Sequence, residues 1–269
     1  MRSLDEADRK LVVVRGAGDL ATGTILRLHN AGYKVVALEV EHPTVIRRTV
    51  SFAQAIYDGT MTVEGVTAEK GCLDSIPDIL SRDRIPVLID PDMSVLDRYH
   101  PAVLVDAIIA KRNLGTYRSM APFTIALGPG FIAGQDVDAV VETKRGHSLG
   151  RIIYSGSAIA NTGIPGMIAG YAAERVIHSP VAGVFNGHRS IGDIVSKGDI
   201  IADVSGTPVA ASIDGMLRGL LSSGLYVPEG FKIADIDPRG ADADYLTVSD
   251  KARAIAGGVL EAVDHFLNR

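Results

Sequence analysis

The chain has 269 residues, of which 46% are apolar and 22% are charged, and this composition indicates a globular protein and excludes a disordered chain. Its formal net charge of −5 gives no basic footprint, which argues against binding of DNA or RNA. The single cysteine, Cys72, excludes an intrachain disulfide and favours a reducing, cytoplasmic location. The longest apolar run is too short to cross a bilayer, so a soluble protein is expected.

The first recognisable unit is a strand, a glycine turn and a helix. Residues 11–14 form a continuous apolar run typical of a buried strand, and the glycine turn of residues 16–18 follows at once. Apolar residues then recur at helical spacing over 19–31, and residues 35–40 return as a second strand. These segments predict a complete βαβ unit.

Further apolar segments extend this unit into a sheet. Strands are predicted at 86–89, 102–109 and 123–127, and an antiparallel hairpin is predicted from 137–143 and 151–155. Cys72 is expected to pack within a helical stretch over 72–82, and residues 166–177 are expected to form another helix. The predicted fold is therefore α/β, with a Rossmann-like, mostly parallel sheet.

The segment after residue 180 contains an internal repeat. At an offset of 32 residues Gly183 aligns with Gly215 and Gly198 with Gly230, among many similar residues. The repeat predicts a small pseudo-twofold β-module, because each half alone has an uncovered apolar face. Its pattern resembles the barrel-sandwich hybrid of biotinyl and lipoyl domains, but the hairpin at 205–208 has no lysine, which argues against a swinging-arm carrier.

The chain then ends on a helix that Ser249 is expected to cap. The predicted organisation is a Rossmann-like domain over 1–178, the repeated β-module over 179–238, and a C-terminal segment over 239–269 whose helix packs back on the α/β domain.

The glycine turn is the first candidate binding site. Gly16, Ala17, Gly18 and Asp19 begin a G-x-G-x-x-A pattern in which glycines and helix amides can approach a diphosphate. Glu39, about twenty residues further on, could accept a hydrogen bond from a ribose hydroxyl. Asp19 places an unfavourable negative charge beside a phosphate, so a capped turn that binds nothing is the alternative.

A second candidate follows the strand that contains Asp106. Lys111, Arg112 and Asn113 are placed to hold an anionic group beyond the carboxyl ends of the strands, unless they form a solvated loop. Asp106 could pair with one of these cations, a structural role, or Asp106 and Lys111 could supply acid–base chemistry.

Other glycine and polar motifs complete the predicted site. Gly128 and Gly130 would let the backbone approach a ligand, or form only a turn. Asn161 and Thr162 could form a second amide nest for an anion, or cap a helix.

Two charged motifs are left open. Residues 47–48 are an arginine pair that could neutralise a phosphate or remain exposed. Asp235 and Asp237 lie on one face of an extended segment, where an ion pair to Arg239 is a simpler prediction than a metal site. No metal site is predicted.

Taken together, these segments resemble the YqeB-type accessory proteins of the selenium-dependent molybdenum hydroxylase system. The similar segments are 14–23, 43–52, 105–116, 127–131, 161–166, 235–239 and 249–255. The resemblance implies a role in maturing molybdenum hydroxylases, in company with the XdhC/CoxI-like accessory factors of xanthine dehydrogenase. It implies a molybdenum hydroxylase as partner and carries over no catalytic residue.

The first functional hypothesis is an accessory protein that binds a nucleotide-bearing ligand, with NAD(P) or the dinucleotide form of molybdenum cofactor as candidate cofactors. One alternative is an NAD(P)-dependent oxidoreductase acting on a small anionic substrate. Another is a docking scaffold without a ligand. A homo-oligomer is expected, with no nucleic-acid or membrane partner.

Overall fold

The structure, a computed structural model, describes residues 10–160 and 167–268. The described residues divide into two compact units. The first unit contains 10–43, 51–160 and 248–268, and the second contains 44–50 and 167–247. Asn161 and Thr162, two of the predicted site residues, lie outside the described residues.

The first unit is built on one nine-stranded sheet with the strand order β3-β4-β5-β2-β1-β6-β7-β8-β9. Its strands are β1 (Leu11–Arg15), β2 (Lys34–Glu39), β3 (Thr60–Val63), β4 (Val66–Gly71), β5 (Ile85–Ile89), β6 (Val103–Asp106), β7 (Phe123–Leu127), β8 (Ala139–Val141) and β9 (Ile152–Ile153). The strands from β4 to β8 pair in parallel, whereas the edge strands β3 and β9 pair antiparallel. The chain reverses its direction of progress across the sheet between β1 and β6.

Two long helices, α1 (Asp19–Asn30) and α5 (Asp250–Leu267), cover part of this sheet. Three short helices lie between them in the chain: α2 (Ala55–Asp58), α3 (Ile76–Ser81) and α4 (Val95–Arg98). The hydroxyl of Ser249 caps α5 by accepting from the amide of Ala252, as predicted. Helices α1 and α5 pack so closely that a Cβ added at Gly23 would lie 2.8 Å from the Cβ of Ala252.

The Rossmann-like fold prediction is wrong. The sheet is mixed, because the unpredicted hairpin of β3 and β4 adds an antiparallel edge on one side and β9 adds another. A doubly wound fold also places helices on its crossovers, but the described connections 107–122 and 128–138 contain no α-helix. Sequence periodicity found the apolar central strands and missed β3 and β4, in which single buried apolar residues alternate with threonines and charged residues.

The second unit consists of two antiparallel four-stranded sheets rather than part of an α/β domain. The strand order is β10-β17-β15-β12 in one and β14-β13-β11-β16 in the other. The strands are β10 (Val176–His178), β11 (Gly183–Gly187), β12 (Ile194–Val195), β13 (Ile200–Val204), β14 (Thr207–Ala210), β15 (Gly215–Leu220), β16 (Tyr226–Val227) and β17 (Lys232–Asp237).

The helix predicted over 166–177 is also wrong in its described part. Gly170 has φ +87, which interrupts any helix, and a short 3-10 helix (Ala173–Arg175) leads into β10. Ile177 pairs with Ala234 of β17, so tertiary pairing decides this segment.

The sequence repeat corresponds to matching strands. Strands β11, β12 and β13 are followed, 32 residues on, by β15, β16 and β17, and the pairings β11–β16 and β12–β15 are counterparts of one another. Phe185 and its counterpart Leu217, like Ile201 and its counterpart Ile233, are fully buried in one shared core. Each half therefore covers the apolar face of the other.

Of the helices in the described residues, none combines the length and the apolar character needed to cross a lipid bilayer.

Candidate functional site

The predicted site residues of the first unit gather at the carboxyl edge of its parallel strands. Arg15, Glu39 and Asp106 are the last residues of β1, β2 and β6, and Gly128 directly follows β7. Ligands of open α/β sheets bind at this edge, where the strand order reverses. The reversal here lies between β1 and β6, so this edge is the place to look for a site.

The glycine turn after β1 is filled by the protein itself. The amide of Ala17 donates to Glu39 Oε1 at 2.9 Å, and its carbonyl accepts from the amide of Ala53 at 2.8 Å. Gly16 has φ +101, and an added Cβ there would lie 3.2 Å from the backbone of Ala107. The missing side chain of Gly16 thus makes room for a neighbouring backbone rather than for a phosphate.

Glu39 has a role other than the predicted contact with a ribose. Its second oxygen, Oε2, accepts from the amide of Val40 at 2.9 Å, so both oxygens are bound by backbone. Burial raises the pKa of Glu39, and the two amide hydrogen bonds, from Ala17 and Val40, act in the opposite direction. Asp19 adds a second carboxyl group in the first turn of α1.

The predicted NAD(P) or molybdenum dinucleotide cofactor is therefore wrong. One amide of the turn is occupied by the Glu39 carboxyl group, and Asp19 stands where a diphosphate would bring more negative charge. Gly18 serves as the N-cap of α1, without a side-chain cap.

Arg15 was not predicted as a site residue, but it connects several segments at the carboxyl edge of the sheet. Its Nη1 donates to Thr116 Oγ1 at 3.0 Å and lies 3.4 Å from Asp106 Oδ2. Its Nη2 donates to the carbonyls of Leu114 at 3.0 Å and Pro91 at 3.3 Å. One half-buried guanidinium thus joins β1 to the loops that follow β5 and β6.

Asp106 is the acidic partner of Arg15, and not of Lys111 or Arg112 as the sequence suggested. Its Oδ2 accepts from Thr116 Oγ1 at 2.6 Å, and its Oδ1 accepts from the amide of Ile108 at 3.2 Å. Because both oxygens are engaged and the residue is buried, the geometry favours the structural role over acid–base catalysis.

The loop that follows, residues 108–115, is held in an unusual conformation. Ile109 and Lys111 have φ of +59 and +63, which β-branched and long side chains rarely adopt. Asn113 closes the loop, since its Oδ1 accepts from the amides of Gly115 and Thr116 at 2.8 and 2.9 Å. Asn113 therefore shapes the loop and its side chain is not available for a ligand.

Lys111 and Arg112 project from this loop. Both are exposed, and neither makes a hydrogen bond or an ion pair with any described residue. Ile108 and Leu114 of the same loop are exposed apolar side chains, 38% and 41% accessible. The loop thus presents two cations together with apolar surface.

The two glycines after β7 lie close to other parts of the protein. A Cβ at Gly130 would lie 2.6 Å from the backbone nitrogen of Arg112, so Gly130 packs against the loop, whereas a Cβ at Gly128 would lie 2.6 Å from Thr143 Oγ1. The space at both glycines, predicted to admit a ligand, is therefore occupied by the protein itself.

Two further predictions concern Cys72 and metal binding. Cys72 is exposed and precedes a 3-10 helix (Leu73–Ser75), so its predicted packing role is wrong. Within 10–160 and 167–268, no group of three or more His, Cys, Asp or Glu side chains is arranged to hold a metal ion.

Comparison with known proteins gives one strong sequence match. No family model matches the chain. The chain is 56% identical over 264 residues to "Uncharacterized protein YqeB" of Escherichia coli K12, which covers 98% of this chain and 49% of that protein. The chain thus spans about half the length of the curated relative that it matches.

The similar solved structures are distant. An aspartoacylase family protein from Mesorhizobium loti is 12% identical over 84% of both chains, with a TM-score of 0.29. A succinylglutamate desuccinylase from Silicibacter is 15% identical over 84% of both chains, with a TM-score of 0.25. At these TM-scores the similarity supports no argument about activity.

The predicted accessory role is corrected by the sequence match, because the relative is named only as an uncharacterized protein and its name assigns no part in molybdenum hydroxylase maturation. None of the proteins reported above is named as a xanthine-dehydrogenase accessory factor, an NAD(P)-dependent oxidoreductase or a docking scaffold, so the XdhC-like resemblance and both alternatives are not retained. The homo-oligomer, and the absence of nucleic-acid and membrane partners, stay predictions.

Proposed function

We propose that the first unit binds a small organic anion, through a carboxylate or phosphate group, at loop 108–115. The observation that carries this proposal is the pair Lys111 and Arg112, which have no counter-charge among the described residues and stand on a strained, well-supported loop.

The strain is the first step of the argument. Residues such as Ile109 and Lys111 at positive φ cost on the order of 1–3 kcal/mol each, and such conformations persist only where surrounding contacts impose them. Here the contacts come from Arg15, from the Asn113 side chain and from the close approach of Gly130. A loop held in this way presents its cations in a preorganised position, which lowers the entropic cost of binding.

The chemistry of the two cations is the second step. A guanidinium such as that of Arg112 can donate two parallel hydrogen bonds to a carboxylate or phosphate, and Lys111 adds a compact positive charge. Asp106, the acidic residue nearest to this pair in the sequence, is engaged by Arg15 and Thr116 and does not compete. Ile108 and Leu114 can contact the apolar body of the ligand, which favours organic over inorganic anions.

The exposed thiol of Cys72 suits a reducing compartment, so the proposed ligand is a cytoplasmic metabolite.

The test is calorimetric titration of the full chain with butyrate, succinate, citrate and glycerol phosphate, paired with thermal melting. At least one should bind, and the double variant Lys111→Ala/Arg112→Ala should lose affinity by tenfold or more. The variant Lys34→Ala/Arg189→Ala is the matched control, because it removes the same charge from exposed residues outside the loop. Equal binding by wild type and the Lys111→Ala/Arg112→Ala variant, or no binding of any of the four anions, would contradict the proposal.

A further inference from the structure

The first unit contains a half-buried lysine without an ion pair at the start of its last helix. Lys251 lies in the first turn of α5, which begins at Asp250. It is partly exposed, and it makes no hydrogen bond or ion pair with any residue of 10–160 or 167–268. A lysine that is drawn out of water ordinarily keeps its ammonium group in solvent or pairs it with a carboxylate. The unpaired amine of Lys251 therefore needs an explanation.

Close packing fixes the position of this turn of α5. On one side, a Cβ added at Gly23 of α1 would lie 2.8 Å from the Cβ of Ala252. On the other side, a Cβ added at Gly150 would lie 2.4 Å from the carbonyl oxygen of Ala254. Gly150 belongs to the connection between β8 and β9. The backbone at Lys251 is thus held between α1 and this connection, with little freedom to move.

The charged groups around Lys251 come from the same elements. Arg145 of the β8–β9 connection donates to both carboxylate oxygens of Asp250, at 2.6 and 2.8 Å. Glu142 directly follows β8, and its two oxygens accept from backbone amides at 2.7 and 2.8 Å. Asp19, in the first turn of α1, is the third nearby carboxyl group. Two of the three carboxylates are therefore engaged by other donors.

This environment disfavours the charged form of Lys251. Burial is the main cause that lowers the pKa of Lys251, and repulsion by Arg145 is the second, while the three carboxyl groups offset only part of the decrease. A cation is also unfavourable in the first turn of a helix, where the backbone dipoles are positive. Only the neutral amine of a lysine is a nucleophile, and burial or a neighbouring cation is the usual means of keeping it neutral.

We infer that Lys251 is a nucleophilic lysine that forms an imine with a small aldehyde or ketone. Its backbone is fixed by packing on two sides, and its amine has no ion pair to break before it reacts. Lys251 is itself partly exposed, and the neighbouring Arg145 and Asp250 side chains are 43% and 74% exposed. A small carbonyl compound can therefore approach from the solvent.

The proposed step is an addition followed by loss of water. The lone pair of Nζ forms a bond to the carbonyl carbon, and the π electrons of the C=O bond move to the oxygen. One proton passes from the nitrogen to this oxygen, which gives a carbinolamine. The hydroxyl group then leaves as water with the second proton of the nitrogen. The products are an imine and one water molecule, and nothing is oxidised or reduced. The step does not involve loop 108–115.

The experiment incubates the full chain with propanal and sodium cyanoborohydride, which reduces an imine to a stable secondary amine. Peptide mapping by mass spectrometry then gives the rate of labelling at each lysine. At neutral pH Lys251 should be labelled at least about fivefold faster than the exposed Lys34 and Lys232. This preference should shrink as the pH rises towards the ordinary pKa of lysine, because the exposed amines then also become neutral. Equal or slower labelling of Lys251 at neutral pH would overturn the inference.

Variants test the cause of the reactivity. Arg145→Gln should slow the labelling of Lys251 at neutral pH by about threefold or more, because it removes a repelling cation and releases Asp250. The matched control Arg27→Gln removes an exposed arginine of α1 and should be labelled like wild type. Equal rates in these two variants would also refute the inference. The map of the wild type decides the matter if Arg145→Gln fails to fold.

The double variant Lys111→Ala/Arg112→Ala separates this site from the proposed function. It should lose the organic anion but keep the wild-type rate of propanal labelling at Lys251, because the two sites use different residues. Loss of the labelling preference in this variant would contradict an independent site at Lys251.

Discussion

The two units contain ionic networks that connect different parts of the chain. In the first unit, one guanidinium, Arg15, meets one carboxylate, Asp106, and the remaining contacts are a hydroxyl and two carbonyls. In the second unit, Asp235 pairs with Arg175, and Asp237 pairs with both Arg218 and Arg239. The first network therefore joins loops to the sheet through a single cation, whereas the second joins neighbouring strands and gives one carboxylate two cations.

Removal of Arg15 should have the largest effect. The substitution Arg15→Met leaves Asp106 buried without its cation and releases the loops after β5 and β6, so the free energy of unfolding should fall by about 3–5 kcal/mol. Chemical denaturation measures this loss. Arg27→Met, at an exposed position of α1, should change stability by less than about 0.5 kcal/mol. Similar losses in the two variants would show that Arg15 does not hold the loops after β5 and β6 against the sheet.

The next largest effect is expected for Gly130→Ala. Its free energy of unfolding should fall by about 3 kcal/mol, because of the positive φ and because the added Cβ would overpack against Arg112. Gly146→Ala is the control: its φ is also positive, +132, but its added Cβ meets open space, so only about 1–2 kcal/mol should be lost. Chemical denaturation measures both losses, and calorimetric titration should find weaker binding of the organic anion by Gly130→Ala alone. Unchanged binding would show that the contact between Gly130 and the loop is not needed for binding of the proposed ligand.

Arg218→Met tests the network of the second unit. The loss of unfolding free energy should stay within about 1 kcal/mol, because Arg239 still pairs with Asp237 and because burial and the nearby Arg47 disfavour the charged form of Arg218. Urea denaturation beside Arg15→Met gives the comparison. A loss as large as that of Arg15→Met would mean that the second cation of Asp237 does not compensate.

Glu39 should produce the smallest effect, in the pH dependence of stability. Its folded-state pKa is raised by burial, so its contribution is complete below its ordinary value of 4.5 and is lost as pH rises through the raised value. Glu39→Gln should therefore flatten the decline of unfolding free energy between acidic and neutral pH. A variant curve parallel to that of the wild type would contradict the raised pKa.

Local elements of the first unit were predictable because their signals are local. The apolar run of β1, the helical spacing of α1 and the cap at Ser249 depend on neighbours within a few residues, and all three match the structure. The edge position of Lys111 and Arg112 was also predictable from the strand before them. The hairpin of β3 and β4 was not predicted, because its apolar residues are few and alternate with polar ones over only a short stretch.

The partners of the site residues could not be predicted in the same way. A glycine in a turn indicates that another group approaches the backbone closely, but it does not identify that group. Gly16 and Gly130 face other parts of the protein's own backbone and not a ligand. Arg15 was recognisable from the sequence only as the last residue of a strand, and its four distant contacts gave no sequence signal. Arg47 and Asp235 are far apart in the chain, so their common location depends on strand pairing.

The sequence by itself determined where apolar strands and amphipathic helices form, which glycines interrupt them, and that residues 180–237 repeat. These properties follow from side-chain hydrophobicity and backbone freedom within short segments. Only the tertiary structure decided which charges meet, which of them are balanced, and whether a glycine's open space is filled. Those properties depend on residues far apart in the chain, because burial and Coulomb interactions are set by distance in space.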